Sequence, residues 1–188
     1  MIDPKKIFGR LGNSMFQYAF LYAYSKRHGG DWYFQDPKWF EEYEKDIKKL
    51  FGTGIGYDDR VAIHVRRAGN PVNLKEPAYS ENPFMVDLTK TDYYERAMAM
   101  FPKERFLIFS DDLPWCKERF KGCDFSDNDE VEDLNRMASC KSQIIANSSY
   151  SWWAAYLNPN PNKKVIYPSK WYADGIKRTV CSTSWIAI

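Results

Sequence analysis

The chain has 188 residues, which is the size of one domain or of two small lobes. Its 27 basic and 25 acidic side chains give a formal net charge of +2, so its composition predicts no nucleic-acid partner. Hydrophobic residues make up 44% and aromatic residues 17%, a composition that excludes a disordered chain.

The first residues, MIDPKKIFGRLGN, lack the apolar core of a secretory signal, and no apolar run is long enough to span a bilayer. We therefore expect a cytoplasmic protein without a transmembrane segment. The four cysteines form no CxxC pair, and no histidine is near them in sequence. Buried, reduced thiols are the expectation for such a set. The four are Cys116, Cys123, Cys140 and Cys181.

One pattern recurs along the chain: a short apolar run, a polar or glycine-rich turn, and then an amphipathic stretch. The apolar runs, in chain order, are KIF, VAIHV, RFLIF, QIIA and KVIY. Strand-like runs that alternate with helical patterns predict βαβ units, so the fold class is α/β with a parallel sheet. The glycines of residues 52–56 favour a boundary, and residues 68–90, with three prolines, predict a long loop.

The polar residues that follow the apolar runs are the candidates for function, because ligands of such sheets bind outside the carboxyl ends of the strands. The turn GRLGN (residues 9–13) is either a plain tight turn or a place where a ligand approaches the backbone closely. Arg66 and Arg67 end the run VAIHV and should point to opposite sides. They are either a phosphate-binding fork or a salt-bridged strand end.

Two acidic clusters allow more than one interpretation. Residues 110–112 (Ser-Asp-Asp) could cap the next helix, could accept a hydrogen bond from a base or ribose, or could bind a metal. Residues 127–129 (Asp-Asn-Asp) precede the helical pattern EVEDLNRMASC, where capping is the favoured interpretation.

Ser148 and Ser149 stand between the run QIIA and the helical pattern YSWWAAYL. Taken alone, they are good helix N-cap residues. Together with Arg66 and the glycine turn, their hydroxyls and the helix amides favour a diphosphate cradle.

These motifs, taken together, resemble glycosyltransferase family 11, the α-1,2-fucosyltransferases. The matching segments are GRLGNSMFQYAF, IHVRR, DYYERAM, FLIFSDDLPWCKERF and DLNRMASCKSQIIANSSYSWWAAYLN. They occur in the order of the family and cover most of residues 7–27, 61–67, 91–120 and 133–171.

The resemblance implies a GT-B-type fold with two Rossmann-like lobes. We expect residues 1–58 to form a reduced N-terminal lobe on the acceptor side and residues 59–188 a C-terminal lobe that binds GDP-fucose. The implied reaction inverts the anomeric carbon, requires no metal or other cofactor, and moves fucose to a glycan hydroxyl, as an α-1,2 linkage to galactose.

The resemblance also implies roles for individual residues. Arg66 should hold the β-phosphate and stabilise the departing GDP, while Ser148 and Ser149 bind phosphate oxygens. His64 and Asp112 are candidates for guanine recognition. The implied donor-binding set is Gly12, Asn13, His64, Arg66, Asp112, Asn147, Ser148 and Ser149, with Arg66 as the catalytic member.

The chain departs from the family pattern in two places. After the two arginines the family continues Gly-Asp-Tyr, whereas this chain has Ala68-Gly69-Asn70. The segment between the opening motif and IHVRR is also much shorter than in the family. An active transferase, a GDP-sugar-binding module without transfer, and an enzyme for another GDP-sugar therefore remain open. Asp36, Asp87 and Asp92 are alternative general bases.

Overall fold

The structure is a computed structural model, and it describes residues 11–27, 40–52, 54–67, 81–175 and 181–188. The helices are α1 (Leu11–Arg27), α2 (Glu44–Phe51), α3 (Tyr93–Ala99), α4 (Leu113–Arg119), α5 (Glu130–Ser139) and α6 (Ser149–Leu157), with single 3₁₀ turns at Glu41–Tyr43 and Leu88–Lys90. The strands are β1 (Asp58–Val65), β2 (Phe106–Ser110), β3 (Asp124–Phe125), β4 (Cys140–Ile144), β5 (Val165–Tyr167) and β6 (Ile186–Ala187). Across these ranges, no helix combines the length and the apolar character needed to cross a membrane. The predicted run KIF lies outside the described residues.

The strands form one six-stranded sheet in the order β3-β2-β1-β4-β5-β6, and every neighbouring pair is parallel. The predicted α/β class with a parallel sheet is therefore confirmed. This order is that of doubly wound sheets, in which the chain first builds outward from β1 on one side and then on the other. The point at which the direction reverses lies between β1 and β4.

Alternate residues of the strands pack against helices on opposite faces of the sheet. On β1, Val61, Ile63 and Val65 join a buried cluster with residues of α3 and α4. Ala62 belongs instead to the cluster that contains residues of α1, α5 and α6. Both faces are covered, which explains why the middle strands are almost continuously apolar.

The described part of the predicted N-terminal lobe packs against α6 and shares a buried core with the sheet. Phe16 of α1 lies 4.8 Å from Trp153 of α6, and Phe40 stacks on the same indole at 5.7 Å, measured between ring centroids. Ile47 of α2 belongs to the same buried cluster as Phe109 of β2. Aromatic packing of this kind stabilises a core beyond its buried area. The division into lobes at residue 58 stays a prediction.

Two of the expected helix caps are confirmed. Asp129 precedes α5 and accepts hydrogen bonds from the backbone N–H groups of Val131 and Glu132, both at 2.9 Å. Asp112 precedes α4 and accepts from the backbone N–H of Trp115 at 3.3 Å. A side-chain oxygen at this position satisfies amides that have no partner within the helix.

All four cysteines are free thiols, as expected, and Cys116 and Cys140 are buried. Burial raises the pKa of Cys116 to about 11 and that of Cys140 to about 12. It also raises the pKa of Cys181 to about 12 and that of Cys123 above its ordinary value. Because only the thiolate reacts, Cys116, Cys140 and Cys181 should be nearly inert at neutral pH.

We expect Cys116, Cys140 and Cys181 of the native protein to react with a thiol reagent at pH 7.5 on the order of a hundredfold more slowly than an unstructured cysteine peptide, because their thiolate fraction is so small. The rate should rise with pH over the range 8–10. The measurement is a time course with a chromogenic disulfide, and protein unfolded in guanidinium is the control in which four thiols react promptly. Rapid, complete labelling of the folded protein would contradict the described burial.

Candidate active site

The reversal point between β1 and β4 brings the predicted site segments to one edge of the sheet. Ile63 lies opposite Ile144, and Val65 lies opposite Ser110. Since neighbouring strands are about 5 Å apart, the chain segments that leave β1, β2 and β4 emerge side by side. The expected convergence of residues 66–67, 110–112 and 147–149 is confirmed, and a crevice at this point is where doubly wound sheets bind their ligands.

Arg66 forms an ion pair with Asp111, which follows the neighbouring strand. The contact joins Arg66 Nη1 to Asp111 Oδ2, and the two side chains are only 13% and 14% exposed. The other carboxylate oxygen of Asp111 accepts a hydrogen bond from the backbone N–H of Arg67 at 2.9 Å. One carboxylate therefore fixes both the Arg66 guanidinium and the backbone that carries it.

Arg67 is held by different partners. Its Nε donates to Asp112 Oδ2 at 2.9 Å, and its guanidinium carbon lies 4.8 Å from the centre of the Trp115 ring on α4. The salt-bridged interpretation of the arginine pair thus holds for both residues, each with its own carboxylate. Asp112 is occupied by Arg67 and by the start of α4, and its role in guanine recognition stays a prediction.

The N-terminus of α6 contributes backbone donors to the same edge. Ser148 stands at the N-cap position, but its hydroxyl makes no capping hydrogen bond to the helix. The expected side-chain cap is therefore absent at Ser148, and the first-turn amides of α6 are not satisfied by it. Amides at a helix N-terminus, together with the helix dipole, attract anions.

Helix α1 begins against the same helix end. The Ser149 hydroxyl donates to Asn13 Oδ1 at 2.6 Å. A Cβ atom built on Gly12 would lie 2.5 Å from the Tyr150 backbone nitrogen and 2.6 Å from the Ser149 carbonyl carbon. Only glycine allows this approach. Residues 11–13 of the predicted glycine turn are the first turn of α1, and Gly12 there brings two helix N-termini together.

His64 lies on β1, two residues before Arg66, and is 5% exposed. Its ring centroid is 5.5 Å from that of Tyr150 on α6. His64 therefore faces the same helix that carries Ser148 and Ser149. Its role in guanine recognition stays a prediction.

The paired tyrosines of α3 hold the ends of the two strands that flank the crevice. The Tyr94 hydroxyl donates to the His64 carbonyl at 3.1 Å, and the Tyr93 hydroxyl donates to the Ile145 carbonyl at 2.6 Å. These carbonyls lie where β1 and β4 stop pairing with each other. Each hydroxyl thus satisfies a strand-end acceptor just before the residues of the candidate site.

The Asn147 amide nitrogen is engaged by two other segments of the chain. It donates to the carbonyl oxygens of Val86 and Trp171, both at 2.9 Å, and the residue is 2% exposed. This contact ties two loops to the end of β4. Direct contact of Asn147 with a donor substrate stays a prediction.

The candidate general bases differ in their surroundings. Burial raises the pKa of Asp87, but hydrogen bonds from Thr89 and Lys90 outweigh it and lower that pKa below its ordinary value. Asp92 is 74% exposed and pairs with Arg96 at 3.6 Å. Asp36 lies outside the described residues. A lowered pKa makes a carboxylate a weaker base. The pKa of Asp87 therefore does not favour it as the general base.

The structure brings most of the predicted donor-binding residues to one side of the crevice. On the side of α1 and α6 it places Gly12, Asn13, His64 and Ser149, and Arg66 follows β1 at the same sheet edge. Asp112 is directed to Arg67 and α4 instead.

Asp111 and the two tyrosines are partners that sequence reasoning missed. The signal for Asp111 was present in the sequence. Two arginines follow one apolar run and two aspartates follow another, so charge complementarity across aligned strand ends could have been predicted.

Residues 20–188 match the family described as Glycosyl transferase family 11. The chain is similar to the "O-antigen biosynthesis glycosyltransferase WbnK" of Escherichia coli, at 38% identity over 136 residues, which cover 66% of this chain and 43% of that protein. It is also similar to an "Alpha-1,2-colitosyltransferase" of Escherichia coli, at 28% identity over 177 residues, which cover 83% of this chain and 61% of that protein. The chain thus spans about half the length of these curated relatives. No solved structure matches it.

Proposed function

Because the chain belongs to glycosyl transferase family 11, we propose that it transfers fucose from GDP-fucose to a glycan hydroxyl, with an α-1,2 linkage to galactose as the product. The proposed reaction inverts the anomeric carbon. The acceptor oxygen forms a bond to that carbon, the bond from the carbon to the β-phosphate oxygen breaks, and its electron pair leaves with GDP. The acceptor proton passes to a base.

The observation that supports this proposal best is that Arg66 and the N-terminus of α6 follow two adjacent strands at the same edge of the sheet. Val65 and Ile144 end adjacent strands, so the Arg66 guanidinium and the amides that follow Ser148 emerge at one sheet edge. Negative charge grows on the diphosphate as GDP departs. Fixed positive groups at that position stabilise the transition state more than the bound substrate.

Asp111 gives the guanidinium a fixed orientation before the substrate arrives. A guanidinium has five N–H donors, so the contact through Nη1 is compatible with bidentate binding of phosphate oxygens by the same group. Preorganisation of this kind avoids a reorganisation cost during the reaction. We propose that Arg66 and the α6 amides act in place of a divalent metal, within a GT-B-type arrangement of the whole protein.

Two alternatives have support of their own. The name of the similar colitosyltransferase favours colitose in place of fucose as the transferred sugar. The residues Ala68-Gly69-Asn70, where the family has Gly-Asp-Tyr, favour a module that binds a GDP-sugar without transferring it.

The test begins with calorimetric titration of GDP, GDP-fucose and GDP-mannose into the protein. GDP release is then measured with GDP-fucose and with GDP-colitose, each with and without a panel of β-galactosides, in the presence and absence of EDTA. We expect GDP-fucose to bind, and we expect acceptor-dependent release that EDTA does not reduce. Binding without release under any acceptor would favour the module, and faster release from GDP-colitose would favour the related donor. Failure to bind any guanosine diphosphate compound would contradict the proposal.

A further inference from the structure

Two loop segments form a small rim beside the candidate site. The rim consists of residues 82–86 and 171–173, which are joined by an antiparallel bridge between Met85 and Tyr172. The backbone N–H of Val86 donates to the Trp171 carbonyl at 3.0 Å, and that of Ala173 donates to the Phe84 carbonyl at 3.0 Å. The rim is therefore a hydrogen-bonded unit rather than two independent loops.

Asn147 fixes the rim to the end of β4. Its amide donates to one carbonyl in each half of the rim, Val86 and Trp171, both at 2.9 Å. Ser148, the N-cap residue of α6, is the next residue in the chain. The rim thus borders the edge at which the proposed function places the diphosphate.

The rim presents an exposed aromatic ring on a fixed backbone. Phe84 is 74% exposed, more than any other large hydrophobic residue in the described ranges. Its backbone N–H donates to Asn82 Oδ1 at 2.9 Å and its carbonyl accepts from Ala173. Because both backbone groups are hydrogen-bonded while the ring is in solvent, the ring is available to stack on a ligand that reaches the rim.

The ring lies within reach of the candidate site. Phe84 is two residues from Val86, and an extended chain rises about 3.3 Å per residue, so Phe84 lies within roughly 15 Å of Asn147. An oligosaccharide of two or three rings covers that span. The face of a pyranose ring that carries C–H groups is weakly positive, and it complements the negative face of an aromatic ring.

We propose that Phe84 is the stacking platform of an acceptor subsite, which takes a pyranose ring of the glycan beyond the residue that receives the sugar. Asn147 is a positioning residue for this subsite, because it holds both halves of the rim against the end of β4. The inference rests on the proposed function for the identity of the ligand as a glycan.

The experiment compares the wild-type protein with Phe84→Ala, Phe84→Trp and Tyr57→Ala. Tyr57 is the matched control, since it is 71% exposed but lies at the opposite end of β1. Saturation-transfer NMR with lactose, N-acetyllactosamine and methyl glycosides of glucose and mannose gives the saccharide affinity. Calorimetry with GDP gives the donor-side affinity of the same samples. Both measurements are independent of turnover.

We expect Phe84→Ala to weaken saccharide binding about tenfold, the equivalent of about 1.4 kcal/mol, while GDP affinity is unchanged. Phe84→Trp should retain binding, and Tyr57→Ala should match the wild type. Equal saccharide affinity in the wild type and Phe84→Ala overturns the inference, as does a wild type that binds none of the four saccharides. Either result leaves the proposed function intact if GDP-fucose is bound and turned over. Failure of the wild type to bind GDP contradicts the proposed function, and with it the acceptor role of the subsite, whereas the saccharide measurement tests stacking on Phe84 separately.

Discussion

Arg66→Ala is expected to lower kcat by at least about 10²–10³-fold, the loss typical for removal of one preorganised group that stabilises developing negative charge. The reason is the position of its guanidinium, which follows β1 at the crevice and is held by Asp111. The measurement is GDP release from GDP-fucose in the presence of a β-galactoside. GDP affinity, measured by calorimetry, should fall less than kcat, because the interaction strengthens as the diphosphate gains charge.

The Arg66 variant needs a control for stability. Its loss leaves the Asp111 carboxylate, only 14% exposed, without its cationic partner. Removal of one member of a buried pair is strongly destabilising, and removal of both is much less so. Arg66→Ala/Asp111→Asn should therefore regain stability in urea unfolding but not turnover.

A second control lies on the same strand. Arg60 pairs with Asp58 at 2.5 Å, and both side chains are 16% exposed, but the pair is at the start of β1 and remote from the crevice. Arg60→Ala should lower stability in the manner of Arg66→Ala and leave kcat close to that of the wild type. Near-normal turnover in a folded Arg66→Ala protein would contradict the role given to Arg66.

The order of strands and helices was predictable because each buried strand carries a short apolar run and each run is followed by a polar turn. The runs VAIHV, RFLIF and QIIA coincide with parts of β1, β2 and β4 and their immediate continuations. In a parallel sheet every such turn after a strand falls on one edge, so the convergence of the site segments followed from the pattern alone.

The identity of the carboxylate beside Arg66 did not follow from that pattern. Successive residues that leave a strand point to opposite sides, so a choice between Asp111 and Asp112 requires the register of β1 against β2. That register, Val65 opposite Ser110, aligns Arg66 with Asp111 and Arg67 with Asp112. Sequence reasoning named Asp112 from the family resemblance, as a candidate for guanine recognition, and in the structure Asp112 pairs with Arg67 and caps α4.

The hydrogen-bond partners of Asn147 could not be predicted from the sequence either, because they are distant along the chain. The string Asn-Ser-Ser before an apolar helix indicates hydrogen bonding but not its partners. The carbonyls that Asn147 binds are 61 and 24 residues away. Only the three-dimensional path of the two loops brings them together, so no local pattern could have identified the rim.

The packing of α1 against α6 leads to the second large expected effect. Gly12→Ala should destabilise the protein by about 1–3 kcal/mol, the usual cost of forcing an extra methyl group into a packed contact. The new Cβ would lie 2.5 Å from the Tyr150 backbone nitrogen and 2.6 Å from the Ser149 carbonyl carbon. Both are backbone atoms, so the two helix N-termini have to separate. Urea unfolding followed by circular dichroism measures the loss.

Gly56→Ala is the matched control for this variant. A Cβ on Gly56 has no atom within 4 Å, and Gly56 is not among the described glycines with positive φ. Alanine there should leave stability unchanged or raise it by about 0.4–1 kcal/mol, since it restricts the unfolded chain. A Gly12→Ala protein as stable as Gly56→Ala would contradict the close approach of α1 and α6.

Asn13→Ala distinguishes the effect of the hydrogen bond between α1 and α6 from the effect of their close backbone contact. It removes the acceptor of the 2.6 Å bond from the Ser149 hydroxyl but adds no atom between the helices. If the α6 N-terminus binds the diphosphate, Gly12→Ala should weaken GDP binding more than Asn13→Ala does, because it displaces the α6 backbone amides themselves. Equal GDP affinity in Gly12→Ala and the wild type, measured below the unfolding transition, would show that the α6 amides do not contact the nucleotide. Arg66 would then be left to stabilise the departing diphosphate without the help of the helix end.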